Sequence, residues 1–128
     1  MDSYFTARNV KNMGSGKLPE YWDLVLPQDK SIKILDVGCG TGGIMRALKT
    51  RGYDNVSGFD ADDMAIDHCK SLGLNCFKAD LLNVEGSFTE KYDLIIMNHV
   101  LEHMLKDKII QCLINLGTLL QEGGRIFI

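Results

Sequence analysis

The residues with chemistry to offer come in a graded series of glycines and carboxylates. The run ILDVGCGTGG, residues 34–43, sets Asp36 two positions ahead of Gly38, Cys39 and Gly40, with Gly42 and Gly43 close behind. Glycines at 38 and 40 let a backbone turn tightly and approach a ligand with no Cβ in the way, and those at 42 and 43 permit close entry into a helix. Amide groups at such a helix start favour a polar or anionic part of a ligand. Gly38, Gly40 and Gly43 also satisfy G-x-G-x-x-G, the spacing of a dinucleotide turn. Two details weigh against a pyrophosphate. The Asp36 carboxylate repels one and suits an ammonium group instead, and the helix start, with Thr41, Ile44 and Met45, brings no basic residue.

These residues need strands and helices to hold them. Ile32 to Val37 reads as a short buried strand, and Ile44, Ala47 and Leu48 fall at helical spacing before Gly52. Val56 to Phe59 forms a second strand that delivers Asp60; Asp62 can cap a helix carrying Ala65, Ile66, Cys69 and Leu72, and Gly73 ends it. Cys76 and Phe77 centre a third strand, and Leu94 to Met97 form a fourth, a continuous apolar run suited to a sheet covered on both faces. Ile109, Leu113, Leu116 and Leu120 step by 4, 3 and 4 and predict a helix, after which Gly123 and Gly124 turn the chain into a last strand. Strands alternating with helices of this length imply right-handed crossovers and a parallel sheet. Residues 1–30 differ: they hold both prolines, the loose Gly14-Ser15-Gly16 and the single tryptophan, and read as an arm with a short helix in which Pro19 takes the first helical position. Trp22 and Tyr21 either cover the ligand or pack on the fold, and packing is the simpler expectation. Residues 31–128 are expected to form a single α/β domain that carries the glycine turn.

Composition bounds the rest. A chain of 128 residues, 45% apolar and 24% charged, is one ordinary globular domain, neither a disordered tail nor a collagen-like repeat. No apolar run approaches the ~20 residues of a membrane span and the first residues lack a signal peptide's apolar stretch, so the expected location is cytoplasmic, away from membranes. A formal charge of −3 with scattered basic residues disfavours nucleic acid as a partner. Cys39, Cys69, Cys76 and Cys112 are 30, 7 and 36 residues apart, with no C-x-x-C pair, and read as reduced thiols.

The segment from Asp36 to Gly43 resembles motif I of the class I S-adenosylmethionine-dependent methyltransferases, an acidic residue followed by G-x-G-x-G, and later segments match in order. GFDAD, with Asp60 at the end of strand two, FKADLL, with Asp80 after strand three, YDLIIMNHVLEHM around strand four, and LLQEGGRIFI, with Glu122 where the family has proline, extend the resemblance over Ile32 to Ile128. It implies a doubly wound, Rossmann-like and mainly parallel sheet in the order 3-2-1-4-5, lacking the family's last two strands. It also implies S-adenosyl-L-methionine as cofactor. Asp36 and the Gly38 carbonyl would hold its methionine amino group, Asp60 both ribose hydroxyls and Asp80 the adenine amino group. The Leu81 amide would meet the adenine ring, and Cys39, Gly40, Ala61 and Asn98 complete the expected cleft. Met64 either packs on the adenine or belongs to the core.

His99-Val100-Leu101-Glu102-His103 matches H-x-x-E-H, in which two histidines one helical turn apart bind zinc and the glutamate is the base. Only 25 residues follow His103, and Glu122 lies in the glycine turn, so the third ligand of a metalloprotease is missing. Some O-methyltransferases that this stretch resembles carry E-x-x-E-H here and bind a divalent ion, whereas His99 replaces the first glutamate. The simpler expectation is that Glu102 and His103 organise the floor of the cofactor pocket, with no metal, and that His99 is at most a base. The reaction implied is in-line displacement at the sulfonium methyl by a small-molecule acceptor, since Asn98-His99-Val100-Leu101 lacks the [DN]-P-P-[YF] of base-modifying relatives. The alternatives are a cofactor-binding module without activity and a nicotinamide-binding domain. The apolar end Ile126-Phe127-Ile128 reads as an edge strand in a truncated chain, able to pair with a second copy to form a homodimer.

Overall fold

A computed structural model of the chain describes residues 18–84, 88–98, 100 and 104–128. Five strands form a single sheet: β1 (Ile34–Val37), β2 (Val56–Asp60), β3 (Cys76–Lys78), β4 (Tyr92–Ile96) and β5 (Leu120–Phe127), in the order β3-β2-β1-β4-β5. All four pairings are parallel, with Ile34 beside both Val56 and Leu94, and Asp36 beside both Gly58 and Ile96. This is the doubly wound order that the family resemblance implies.

Among the described residues three α-helices connect strands: α1 (Gly43–Thr50), α2 (Asp63–Ser71) and α3 (Lys106–Gly117). Alternation along each strand separates two apolar layers. Ile34 and Ile96 join Met45 and Leu48 of α1, Ile66 and Cys69 of α2, and Trp22. Leu35, Val37 and Ile95 join Cys112 and Leu116 of α3, with Leu81 and Phe59. Every β1 residue is buried, so each of its apolar side chains contributes about 1.5–3 kcal/mol by leaving water. Because α1 and α2 cover one face and α3 the other, the chain reverses direction across the sheet between β1 and β4, and a crevice opens at their carboxyl ends.

Boundaries move where tertiary pairing outweighs local pattern. Leu120 continues the helical spacing of α3, but the helix stops at Gly117 and Leu120 opens β5 opposite Tyr92. Gly123 and Gly124 lie inside β5, where the register jumps between Tyr92↔Leu120 and Leu94↔Arg125. They are thus a bulge, not a turn preceding the strand. Gly123 has φ +78°, and a Cβ on Gly124 would stand 2.9 Å from the Gln121 carbonyl oxygen, so the bulge requires small residues. Ile32 precedes β1 and Met97 follows β4. The short helix near the start is a single 3-10 turn, Glu20–Leu24, and Pro19 stands just before it with extended ψ instead of in the first helical position. No helix among the described residues is long and apolar enough to cross a membrane.

Trp22 is 2% exposed and meets Phe127 of β5 edge-on at 4.9 Å between ring centroids. The tryptophan therefore packs on the fold and braces one face of the edge strand. Tyr21, its neighbour, is exposed. Trp22→Ala is expected to lower unfolding free energy by about 3 kcal/mol in a denaturant titration; a loss under about 1 kcal/mol would mean the contact is not structural.

Candidate functional site

The glycine turn sits at the mouth of that crevice, between β1 and α1. Gly38, Gly40 and Gly42 have φ of +68°, +55° and +87°, a left-handed region that other residues enter only with strain. At Gly38 a Cβ would also stand 2.7 Å from Val100 Cγ2, so the Val100 side chain lies directly over this glycine. The turn is tied down peptide by peptide. The Cys39 amide donates to the Phe59 carbonyl at 2.9 Å, the Gly40 amide to Asp60 Oδ2 at 3.0 Å, and the Gly42 amide to the Cys39 carbonyl at 3.0 Å. From the other side, the Cys69 thiol of α2 donates to the Gly40 carbonyl at 3.1 Å. Gly58 makes room beneath, since a Cβ there would stand 2.8 Å from Cys39 Cβ.

Asp36 is the anomaly. Its side chain is 1% exposed, and among the described residues neither carboxylate oxygen has a hydrogen-bond partner. Burial pushes its pKa well above the ordinary carboxylate range, and the neighbouring Cys69 and Asp60 push in the same direction. A buried, unpartnered carboxylate near a second one, Asp60, is costly to fold around and is matched by a ligand that brings a positive charge and N–H donors. The Cys39 thiol is turned into the core and its pKa is raised, while the hydrogen bond from Cys39 lowers that of Cys69. Cys39 thus offers the crevice only its backbone.

The other predicted positions surround the turn. Asp60 ends β2 and accepts from Gly40 through one oxygen and from the Asp62 amide at 2.9 Å through the other. The helix cap belongs to Asp62, whose Oδ1 accepts from the Met64 and Ala65 amides. This leaves Asp60 oriented by amides and still able to accept two further donors. Ala61 is exposed, and Met64 is 40% exposed, which removes it from the core. Asp80 follows β3, is exposed, and accepts from the Leu82 amide at 2.9 Å. Leu81 buries its side chain against α3. Asn98 is half-buried just beyond β4. His99, Glu102 and His103 lie outside the described residues. Among the described residues no group of three or more His, Cys, Asp or Glu side chains could hold a metal ion.

Three contributors escape a reading of motifs alone. Cys69 looks like an ordinary apolar residue of an amphipathic helix, yet its thiol holds Gly40. Val100 lies over Gly38. Asn115 of α3 donates to the Leu81 carbonyl at 2.9 Å. A fourth residue, Gly58 beneath the turn, did carry a sequence signal, because a glycine inside a strand marks close backbone approach.

A parallel sheet whose switch point is occupied by a glycine turn, flanked by carboxylates at the ends of β1 and β2, defines a cofactor-binding α/β domain. Residues 9–128 match the methyltransferase-domain family, and the chain belongs to that family. Over 87 residues it is 31% identical to the ribosomal protein L11 methyltransferase of Aquifex aeolicus, covering 61% of this chain and 34% of that one. The corresponding enzyme of Staphylococcus aureus is 32% identical over 95 residues, 65% of this chain and 28% of that one. The chain thus spans about a third of the length of these curated relatives. Among solved structures, a TehB-like SAM-dependent methyltransferase from Corynebacterium glutamicum is similar with a TM-score of 0.72 and 29% identity, covering 94% of this chain and 67% of that one. A sugar N-methyltransferase from a Streptoalloteichus species shares the fold, at 15% identity and a TM-score of 0.77 over 98% of this chain and 54% of that one. The cofactor of this class is S-adenosyl-L-methionine.

The raised pKa of Asp36 has a fixed sign in stability. The folded state keeps a proton that the unfolded chain releases near pH 3.8, so the ligand-free protein loses stability as pH rises from there towards the folded-state value. Asp36→Asn is therefore expected to raise the melting temperature of the ligand-free protein at pH 8 and to raise it less at pH 4. Equal effects at both pH values would remove Asp36 as the titrating group.

Proposed function

We propose that this chain binds S-adenosyl-L-methionine at the carboxyl ends of β1, β2 and β3 and supports methyl transfer to an acceptor. The observation that carries the reading is the buried, unpartnered carboxylate of Asp36 beneath a glycine turn. In this reading Asp36 and the Gly38 carbonyl hold the methionine ammonium group, and Gly40 lets the backbone come close. Asp60 accepts the two ribose hydroxyls with the lone pairs its amide bonds leave. Asp80 accepts from the adenine amino group, Leu81 presents its amide to the ring, Met64 packs on the adenine from its exposed position, and Ala61, Cys39 and Asn98 line the cleft through backbone or side chain. When bound, the cofactor would supply an electrophilic methyl on a sulfonium, open to in-line attack by an acceptor lone pair, with the carbon–sulfur bond breaking as the acceptor–carbon bond forms and S-adenosylhomocysteine as the leaving group. The contribution of the protein to such a displacement is chiefly the positioning of two reactants. His99 stands as the candidate base for an acceptor that must lose a proton.

The acceptor we favour is a small molecule: the chain carries no excess of basic residues and lacks the motif of base-modifying relatives. A protein acceptor is the second reading, favoured by the identity to the two ribosomal protein L11 methyltransferases. Methyl transfer from radiolabelled S-adenosylmethionine separates them, because counts in precipitated ribosomal protein L11 require the second reading and counts confined to the small-molecule fraction require the first.

Two binding measurements test the cofactor reading. Asp60→Ala is expected to weaken S-adenosylhomocysteine on the order of a hundredfold in calorimetry, and unchanged affinity would exclude the ribose role. Because an ammonium group reverses the environment of Asp36, binding should release up to about one proton near the folded-state pKa. Its signature is a binding enthalpy that varies with the ionisation enthalpy of the buffer in the wild type and not in Asp36→Asn at a concentration where that variant still binds. An enthalpy independent of buffer across the pH range would count against the ammonium partner. Tight binding of NAD with none of S-adenosylhomocysteine would replace the whole reading with a nicotinamide site.

A further inference from the structure

The turn after β3 is built around one peptide unit, Leu81–Leu82, that is gripped at both ends. Its N–H donates to Asp80 Oδ1 at 2.9 Å, and its carbonyl accepts from Asn115 Nδ2 at 2.9 Å. The Asn83 amide donates back to the Asp80 carbonyl at 2.9 Å and closes the turn. Asn115 is itself oriented, since its Oδ1 accepts from Gln111 Nε2 at 2.8 Å one helical turn earlier on α3. The Leu81 side chain packs into the same layer as Cys112 and Leu116 of α3, and the charge of Asp80 is felt at Cys112, so helix and turn are in contact along this whole edge.

A peptide plane held at only one end can rotate about its flanking bonds; held at both, it cannot. With Oδ1 of Asp80 committed to the Leu82 amide, the direction of Oδ2 follows from where that peptide lies, and Asn115 determines where it lies.

We propose that Asn115 is a positioning residue for base recognition: through the Leu81–Leu82 peptide it aims the Asp80 carboxylate and the Leu81 backbone at the 6-amino edge of the purine. The inference rests on the cofactor reading above, and it assigns to α3, a helix that carries none of the motifs, the discrimination of adenine from a 6-oxo purine. Asp80 is an acceptor and repels a carbonyl oxygen at that position, so discrimination depends on its aim and not merely on its presence.

The test compares S-adenosylhomocysteine with S-inosylhomocysteine, in which a carbonyl oxygen replaces the amino group, by calorimetry on the 128-residue chain. Asn115→Asp is nearly isosteric and sets a carboxylate against the Leu81 carbonyl; Asn115→Ala removes the donor. Wild type is expected to prefer the adenine compound, and both variants to lose about tenfold of that preference, through weaker binding of the adenine compound with little change in the inosine one. Gln111→Ala, which loosens Asn115 without removing it, should lose a smaller part. Parallel weakening of both compounds, or an unchanged preference in a folded variant, overturns the role of Asn115 while leaving the cofactor reading intact. Should Asn115→Asp fold poorly, as read by its melting temperature, Gln111→Ala and Asn115→Ala carry the comparison. A wild type that binds neither compound overturns the cofactor reading and this inference together.

Discussion

The hydrogen bond from the Gly40 amide to Asp60 joins the two strand ends on which the site is built. It spans the loop after β1 and the last residue of β2, neighbours in the sheet but 20 residues apart in the chain. Its geometry exists only because β1 and β2 pair in parallel, with Asp36 beside Gly58. The Cys69 thiol completes the arrangement from α2 by holding the Gly40 carbonyl, so one peptide is fixed from two elements at once. A turn with left-handed glycines has many accessible conformations in isolation, and these bonds select one of them.

That rigidity lets the protein keep Asp36 buried without a partner. The carboxylate is enclosed by β1, β2 and the packed thiols of Cys39 and Cys69, where relaxation towards water is blocked, and it carries a raised pKa as a result. Natural folds retain such unsatisfied groups chiefly where function requires them. The two apolar layers of the sheet supply the stability against which this local loss is set, with Ile34, Leu35, Val37, Ile95 and Ile96 all at 1% exposure or less.

The fold was largely legible because buried parallel strands read as short apolar runs and each helix ends on a glycine or carries a cap that its sequence announces. Asp36 and the glycines were legible as candidates because a glycine-rich turn beside a carboxylate has few other uses, whereas Asp60 and Asp80 were legible through the family resemblance. What misled was periodicity at a boundary. Leu120 continues the apolar spacing of α3, and only pairing with Tyr92 makes it a strand residue. Gly123 and Gly124 read as a turn, and only the β4 partner shows that they absorb a shift in register. Local pattern is blind to both because the deciding contact lies nearly 30 residues upstream.

The strand order, and with it the switch point, was implied by the resemblance and is set by the pairing of β1 with β2 and β4. By itself the sequence determined the alternation of strands and helices, the parallel sheet and the residue types at the strand ends. Those follow from hydrophobic period and backbone permissiveness, which are properties of neighbours in the chain. Tertiary structure alone decided that Asp36 is stranded without a donor, that Trp22 packs on Phe127, that Cys69 holds Gly40 and that Asn115 reaches Leu81. Each of these depends on the distance and direction between side chains far apart in sequence, quantities that do not exist until the sheet has formed.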